Sequence, residues 1–196
     1  MDNLINFLTD NLDKTIFISI VIALIFSFIP KIDYFIEKLT KLFMLISVFS
    51  LIVLTLLVSY DVIMRKLFSG GSIALQELEW HLFDITFLFA IAYTLMHDKH
   101  VRVDIFYDKF PFKVKKIINL ITILFFIIPL STLIIVEALP FVQMSYIQHE
   151  ASADPGGLCC RWIIKSAMIW AFIMVYLQAI AELRKIYFQL KHHKGN

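Results

Sequence analysis

A chain of 196 residues of which 60% are hydrophobic and 17% are charged is too apolar for an ordinary soluble domain. Its apolar residues form long runs without alternation, which indicates a helical membrane protein and argues against a β-barrel. The net charge of +2 is too small to favour nucleic acid as a partner. The predicted fold class is an all-α integral membrane protein, a single membrane domain with four main transmembrane helices and an extra N-terminal hydrophobic helix.

The first segment, residues 1–14, is acidic, and the apolar run 15–29 that follows it ends at Pro30. This run has the length of a signal-peptide core, but no basic segment precedes it and no small-residue cleavage site follows. We therefore interpret it as a retained extra helix. Because about 15 residues fall short of the roughly 20 that an untilted span needs, the helix either crosses at a tilt, which we favour, or lies at the interface.

Four further apolar runs are predicted to span the membrane. The segment 69–72 is rich in glycine and serine and is expected to break a helix, and Asp154, Pro155, Gly156 and Gly157 are predicted to form a turn before the last run. Pro129 is expected to kink the third run, and Pro140 to mark its far end. Asp61 and Arg65 lie four residues apart on one helical face, so an ion pair between them is predicted. The predicted spans are 42–63, 80–97, 117–139 and 162–181, with a polar connection at 31–41 before the first of them.

Lysine and arginine are distributed unevenly over the connections. The connection 97–116 holds six, 31–41 holds three and the C-terminal tail holds four, which are Arg184, Lys185, Lys191 and Lys194, whereas the 64–79 turn holds two and the 141–161 loop holds one. Because cytoplasmic connections carry an excess of these residues, the four main spans are predicted to run N-in and C-in. The acidic residues 1–14 then suit the outside if the extra helix crosses.

Histidines are the residues to consider as haem ligands, because membrane anchors of respiratory enzymes hold haem between two histidines. His81 and His97 would lie roughly 24 Å apart along one helix, too far to share an iron. His100 and His149 fall in connections, and no histidine lies in the middle of a span. Surface or capping roles explain the histidines better, and an anchor subunit binding quinone or haem is kept as the alternative function.

Charged residues inside spans usually mark an ion or substrate pathway. Here they fall toward the predicted outer ends: Asp61, Asp84, Glu137 and Lys165. Helix ends that face solvent or a partner are therefore favoured over an ion site, with Asp84, one turn inside Trp80, as the best exception. No nucleophile–base pair, phosphate loop or metal motif is present, so we predict no enzyme and no cofactor. A small transporter or channel acting alone is a third hypothesis.

The two cysteines, Cys159 and Cys160, are adjacent. Adjacent cysteines rarely bridge each other, and the spacing of a zinc site is absent. Since free cysteines are usually buried, we predict two small, partly buried residues, with a redox or metal role as the alternative.

Two stretches resemble a known family. LQELEWHLFDITFLFAIAYTLMHDKHVRVDIFY, residues 75–107, resembles the signature region of the small membrane subunit (DctQ-type) of tripartite ATP-independent periplasmic, or TRAP, transporters. DPGGLCCRWIIKSAMIWAF, residues 154–172, is similar to a DPGG–RW–K stretch in longer members of that family. The likeness covers roughly residues 40–185. The cysteine pair departs from it, standing where a proline beside a polar or aromatic residue is expected, and so does Asp84, where a small or apolar residue is usual.

The resemblance implies a structural brace, a fixed support and assembly partner for a large sodium-coupled permease subunit in the bacterial inner membrane. That large subunit is expected to carry the sodium and substrate sites, and a periplasmic binding protein is expected to deliver an organic acid to it. Membrane lipids are the other expected partners. The candidate residues for partner contacts or structural motifs are Glu77, Glu79, Trp80, Asp84, His100, Arg102, Asp104, Asp154, Pro155, Gly156, Gly157, Arg161 and Lys165.

Two groups of these residues carry specific hypotheses. At the predicted outer end, an acid could pair with a base: Glu77, Glu79 or Asp84 with Arg161 or Lys165. At the cytoplasmic end, His100, Arg102 and Asp104 are either ordinary positive-inside charge with a local salt bridge or a directional contact, which the resemblance favours. That contact would hold the cytoplasmic helix ends together and against the large subunit, because an arginine fork bonds directionally.

Overall fold

The structure, a computed structural model, describes residues 2–29, 32–68, 70–97 and 110–192. Its helices are α1 (Asp2–Asp10), α2 (Leu12–Phe26), α3 (Ile32–Phe68), α4 (Ile73–Met96), α5 (Phe112–Thr122), α6 (Ile128–Ile147) and α7 (Trp162–His192), and a π-helical segment (Ile123–Ile127) joins α5 to α6. Within these described residues, four helical stretches are long and apolar enough to cross a membrane: Ile32–Phe68, Ile73–Met96, Phe112–Ile147 and Trp162–Lys191. The predicted all-α fold, with four main helices and a short N-terminal one, is confirmed.

The central helix is α7, against which α3, α4 and α6 all pack. Buried residues recur every four positions along it: Ala167, Ala171, Val175, Ala179 and Leu183. Residues at this spacing share one face of a helix. Small side chains on that face let neighbouring helices approach closely, which is the usual basis of helix packing in membranes.

Whereas the buried face of α7 is largely apolar, the buried face of α3 is mostly polar. Its buried polar residues are Thr40, Ser47, Ser50 and Asp61. Outward, Phe49 is 67% exposed and Leu56 is 66% exposed. The Ser47 hydroxyl donates to the Thr86 carbonyl oxygen at 2.6 Å and so joins α3 to α4. A helix with polar groups inward and apolar groups outward suits hydrocarbon surroundings, because its polar groups find partners only inside the protein.

The N-terminal helix α2 lies against α6 and α7. The Thr132 hydroxyl donates to Ser19 Oγ at 2.9 Å, and the Tyr176 hydroxyl donates to the Ser19 carbonyl oxygen at 2.7 Å. Further along, the rings of Phe28 and Tyr187 meet edge to face with centroids 5.6 Å apart. Thus α2 runs in the same direction as α7. That its 15 residues cross the membrane stays a prediction.

Two helices continue beyond the bounds predicted for their membrane spans. The connection 31–41 is helical from Ile32 onward, because Ile36 is buried and continues the inward face of α3. Likewise α6 continues past Pro140, since a proline removes only one backbone hydrogen bond and neighbouring helices can compensate for it. The π-helical segment ends just before Pro129, the position where an irregularity was expected.

The two ends of the bundle are distinct. The α3–α4 turn and the α6–α7 loop lie together, because Glu77 of α4 contacts Arg161 of that loop. We call this the outer end, which the distribution of lysine and arginine predicts to face the periplasm. At the opposite, inner end the start of α3 meets the end of α7, with Lys185 Nζ 2.7 Å from Glu37 Oε1.

Candidate functional site

The loop between α6 and α7, residues 148–161, contains a tight turn. The Gly157 N–H donates to the Asp154 carbonyl oxygen at 3.0 Å, and Gly156 has a φ of +85°. This is a type II turn with proline at its second position and glycine at its third, so the predicted turn is confirmed. Gly157 also permits a close approach, because a Cβ there would lie 2.8 Å from Glu77 Oε2.

Glu77 is the residue of α4 to which this loop is attached. Its carboxylate accepts hydrogen bonds from the Ser152 hydroxyl, from the Leu158 N–H at 2.6 Å and from the Arg161 guanidinium at 3.1 Å. We call these four residues the Glu77 cluster. The Glu77 side chain is 15% exposed and that of Arg161 is 39% exposed, so these charge-assisted bonds are partly shielded from water.

A second ion pair at the outer end joins Glu150 of the loop to Lys165 of α7. The Lys165 Nζ also lies 4.1 Å from the centroid of the Phe141 ring on α6. The hydrogen bond from the Lys165 ammonium holds the pKa of the Glu150 carboxyl below its ordinary value. The pair therefore joins the end of α6 to the first turn of α7.

Acid is expected to weaken the Glu150–Lys165 pair. An unfolded glutamate titrates at about pH 4.3 and the folded Glu150 titrates lower, so the stabilisation is complete above about pH 5 and is lost as the pH falls through the folded pKa. Melting temperatures of the detergent-solubilised protein and of Glu150→Gln, compared from neutral pH into acid, measure this. The difference in melting temperature between the unchanged protein and Glu150→Gln should shrink in acid. A difference that is the same at every pH would contradict the prediction.

The end of α3 carries a third ion pair. The Arg65 guanidinium bonds the Asp61 carboxylate, as the four-residue spacing predicted, and Asp61 is 3% exposed. One carboxylate oxygen of Asp61 and one of Glu79 are buried and have no hydrogen-bond partner among the described residues. Since a buried acceptor without a donor is costly, this edge between α3 and α4 is suited to receive a donor or a cation.

Two cavities adjoin Trp80, which is itself 75% exposed. One of about 340 Å³ lies against the outer loop and is lined by residues that include Glu77, His81, Asp154, Arg161 and Lys165. The other, of about 520 Å³, is the α3–α4 groove, lined by Leu54, Val58, Glu79, Trp80, Phe83 and Asp84. Asp84 is exposed, and it makes no ion pair or hydrogen bond with any residue in the described part of the chain.

At the inner end, a polar group that we call the Gln178 cluster joins α3 to α7. The Thr40 hydroxyl donates to Gln178 Oε1 at 2.9 Å, and the Gln178 amide donates to Glu182 Oε1 at 3.1 Å. Lys185 completes the cluster by pairing with Glu182 at 2.8 Å and with Glu37 at 2.7 Å. Thr40 and Gln178 are fully buried.

Arg184, the neighbour of the Gln178 cluster on α7, joins two more segments to the inner end. Its Nε lies 3.6 Å from an oxygen of Asp33 at the start of α3. Its guanidinium also donates to the carbonyl oxygen of Ile29, which follows α2. Basic residues at the end of α7, predicted only as a topology signal, therefore also connect α2, α3 and α7.

A protein-family model matches most of the chain. The family is described as tripartite ATP-independent periplasmic transporters, DctQ component, and the match covers residues 54–188. The chain belongs to this family. The resemblance to the small membrane subunit of TRAP transporters is thereby confirmed. Among curated proteins, none matches this chain.

DctQ membership decides between the function classes left open by the sequence. The DctQ component is part of a transporter and not an enzyme, so this chain is not an enzyme. The alternative of a respiratory-enzyme anchor receives no support from this match. With its four apolar helices, this DctQ protein is a multi-pass membrane protein.

The structure brings together only part of the predicted site of this DctQ protein. Of the three acids considered for the outer end, Glu77 contacts Arg161. Glu79 instead lines the α3–α4 groove, and Asp84 is unpaired among the described residues. Lys165 pairs with an acid of the outer loop that the sequence analysis did not single out. The outer-end hypothesis was therefore right for one pair and incomplete for the rest.

Other predicted residues have different outcomes. His100, Arg102 and Asp104 lie outside the described residues, so their contact stays a prediction. Cys159 and Cys160 are exposed, and the prediction of partial burial was wrong, because the loop turns the groups on either side of the pair toward Glu77. In the part of the chain that the structure describes, no group of three or more histidine, cysteine, aspartate or glutamate side chains could hold a metal ion.

The sequence did not point to Glu150, Ser152 or Leu158 at the outer end, nor to the Gln178 cluster at the inner end. A signal for the Gln178 cluster exists in α7, where Gln178, Glu182 and Lys185 follow one another at spacings of four and three residues. Such spacings place side chains side by side on a helix. The predicted span ended at residue 181, which separated Gln178 from the charges that it contacts.

Proposed function

We propose that this DctQ protein is the small permease subunit that braces the large, sodium-coupled permease subunit of a TRAP transporter. In this proposal the large subunit carries the sodium and substrate sites and imports an organic acid, which a periplasmic binding protein delivers. The small subunit lies in the bacterial inner membrane among lipids, has a cytoplasmic C-terminus, and holds no cofactor of its own.

The observation that carries a bracing role is the use of polar side chains within the described residues. The Glu77 cluster and the Glu150–Lys165 pair connect helices to the outer loop, and the Gln178 cluster connects α3 to α7. Between these groups the core combines apolar residues such as Ala171 and Val175 with hydroxyls that bond neighbouring helices, from Ser47 to α4 and from Thr132 to α2. An ion or substrate pathway is usually marked by charged groups within the membrane, whereas hydroxyls that bond one helix to the next hold the helices of a fixed support together.

The surface proposed to meet the large subunit is the α3–α4 groove. It combines apolar residues with two carboxylates: Leu54, Val58, Phe83, Glu79 and Asp84. An exposed carboxylate inside a membrane-spanning helix needs a counter-charge. Arg65, a base at the same end of α3, is already bonded to Asp61, so the counter-charge proposed for Asp84 comes from another chain. The occupant that complements the groove is a transmembrane helix of the large subunit with a lysine or arginine at the depth of Asp84.

Asp84→Asn is expected to reduce capture of the large subunit several-fold when the two subunits are co-expressed and a tagged small subunit is purified. The reason is that truncating one partner of a charge pair in a dry interface leaves the other charge unpaired. The melting temperature of the small subunit alone should not change, because Asp84 has no partner among its described residues. Substrate affinity of reconstituted transporter that does assemble should stay near normal, since the substrate site is proposed to lie in the large subunit.

Two further variants control this experiment. Asp13→Asn makes the same change at an exposed acid near the start of α2, and Asp84→Glu keeps the charge, so both should retain the large subunit. Full capture with Asp84→Asn would show that the groove is not the binding surface. If the unchanged chain failed to bind the large subunit, the bracing role itself would be wrong.

A further inference from the structure

The two cysteines of the outer loop meet in an unusual way. Both are exposed, and their Sγ atoms are 3.0 Å apart. Adjacent side chains in an extended segment point to opposite faces, so neighbouring thiols do not ordinarily meet. Cys160, however, has a φ of +63°, a left-handed conformation that is uncommon for residues other than glycine. This conformation turns its side chain back toward Cys159.

Hydrogen bonds hold the backbone on both sides of the pair. The Cys160 carbonyl oxygen accepts from the Ile163 N–H at 3.0 Å, and the Arg161 N–H donates to the Glu150 carbonyl oxygen at 3.0 Å. Before the pair, the Leu158 N–H donates to Glu77. The sulfurs are therefore kept close by contacts that do not depend on the thiols themselves.

We propose that Cys159 and Cys160 form a reversible vicinal disulfide, a redox site on the outer loop whose oxidant is an exposed disulfide of a periplasmic protein. The proposal rests on the predicted orientation of the loop toward the periplasm, which is an oxidising compartment where protein disulfides form and persist. It does not depend on the proposed contact with the large subunit.

The reaction is a thiol–disulfide exchange in two steps. The Cys160 thiol donates to the Cys159 sulfur, which favours Cys159 as the first thiolate. The Cys159 thiolate attacks one sulfur of the oxidant and forms a mixed disulfide. The Cys160 thiolate then attacks the Cys159 sulfur and releases the oxidant in its reduced form. Two electrons pass to the oxidant, and the two thiol protons end on its sulfurs.

The bridge is expected to be easily reduced. The peptide bond between the cysteines is trans, so their Cα atoms lie about 3.8 Å apart, closer than the roughly 4.4–6.8 Å of ordinary disulfides. A strained and exposed bridge is more labile than a structural one. It stands between Leu158 and Arg161, two groups through which the loop binds Glu77. Oxidation would thus fix the backbone that presents those groups to the Glu77 cluster.

The chain contains two cysteines in all, so its thiol content reports on this pair alone. The full chain is expressed in bacterial cells, and acid is added to stop thiol–disulfide exchange. The protein is then alkylated with N-ethylmaleimide without reduction, and the mass of the peptide that carries both cysteines is measured by mass spectrometry. We expect an unalkylated peptide two hydrogens lighter than the dithiol, which takes up two alkyl groups after treatment with dithiothreitol. Protein from cells that lack the periplasmic thiol oxidase should be alkylated twice without reduction.

Two alkyl groups on unreduced protein from oxidising cells would overturn the proposal, and so would a disulfide between two chains. A titration in glutathione buffers tests reversibility, because the pair should be reduced at ratios that leave structural disulfides intact. A bridge that survives the whole range would exclude a reversible site. Cys160→Gly keeps the left-handed backbone without the thiol, and its remaining cysteine should be alkylated once. Capture of the large subunit is measured separately, so failure of either proposal leaves the other standing.

Discussion

Replacing Glu77 by alanine is expected to cause the largest loss of stability at the outer end and to lower the yield of protein in membranes several-fold. The carboxylate accepts three hydrogen bonds, and its removal leaves the Leu158 N–H and the Arg161 guanidinium without that acceptor. Such a loss costs more than the bonds themselves, because the donors stay partly desolvated. The melting temperature in detergent and the amount of folded protein measure the effect.

Limited proteolysis shows whether the loss is local to the loop. Arg161 is the one lysine or arginine between residues 141 and 161, so trypsin has a single site there. Cleavage at this site should be faster in Glu77→Ala than in the unchanged protein, with Glu77→Gln in between because its amide keeps one acceptor oxygen. Glu79→Ala is the matched control on the same helix. Equal cleavage rates in Glu77→Ala and Glu79→Ala would mean that Glu77 does not hold the loop.

Features that depend on residues close in sequence could be predicted. The helical membrane fold follows from long apolar runs, each of which carries its own signal. The turn at Asp154–Gly157 follows from proline and glycine at fixed positions within four residues. The Asp61–Arg65 pair follows from a spacing of one helical turn. None of these predictions needs to know how the helices are arranged.

Contacts between distant segments could not be predicted to the same degree. Glu77 and Leu158 are 81 residues apart, and no local pattern relates them. The choice among the outer acids depends on how α4 is rotated about its axis. Two residues that are two apart on a helix are rotated by about 200° about its axis, so their side chains point about 160° apart, to nearly opposite sides. Glu77 therefore faces the outer loop while Glu79 lines the groove on the α3 side.

The inner end shows a second reason why contacts between distant segments were harder to predict than local features. Hydropathy marks where charges begin but does not say whether a charge meets water or another charge. Lys185 counted as a topology signal, yet it is bonded to Glu182 and Glu37, and Arg184 contacts Asp33. Because these half-buried bases are paired with acids of α3 and α7, they are part of the packing of α3 and α2 against α7. Their structural role became visible only with the helices in place.

Gln178→Leu is expected to destabilise the chain by roughly 1–3 kcal/mol, the largest effect predicted for the inner end. Leucine is similar in size, so little packing is lost. The substitution removes the bond between helices to Thr40 and the bond to Glu182 within α7. A bond between helices in a membrane is worth about 0.6 kcal/mol and at most about 1.7 kcal/mol, and leaving the buried Thr40 hydroxyl without its partner adds to that cost. Equilibrium unfolding in mixed micelles measures the change. Gln189→Leu, an exposed position on the same helix, is the matched control and should be close to neutral.

A double substitution separates the hydrogen bond from the general cost of changing a buried residue. Thr40→Val removes the hydroxyl that Gln178→Leu leaves without its partner, and replacing both members of a buried pair by apolar groups of similar shape is close to neutral. The double variant should therefore be more stable than Gln178→Leu alone, with a coupling of about 0.5 kcal/mol or more between the two sites. Simple additivity would mean that Thr40 and Gln178 do not interact, and that α3 is held to α7 by Lys185 and the apolar core instead.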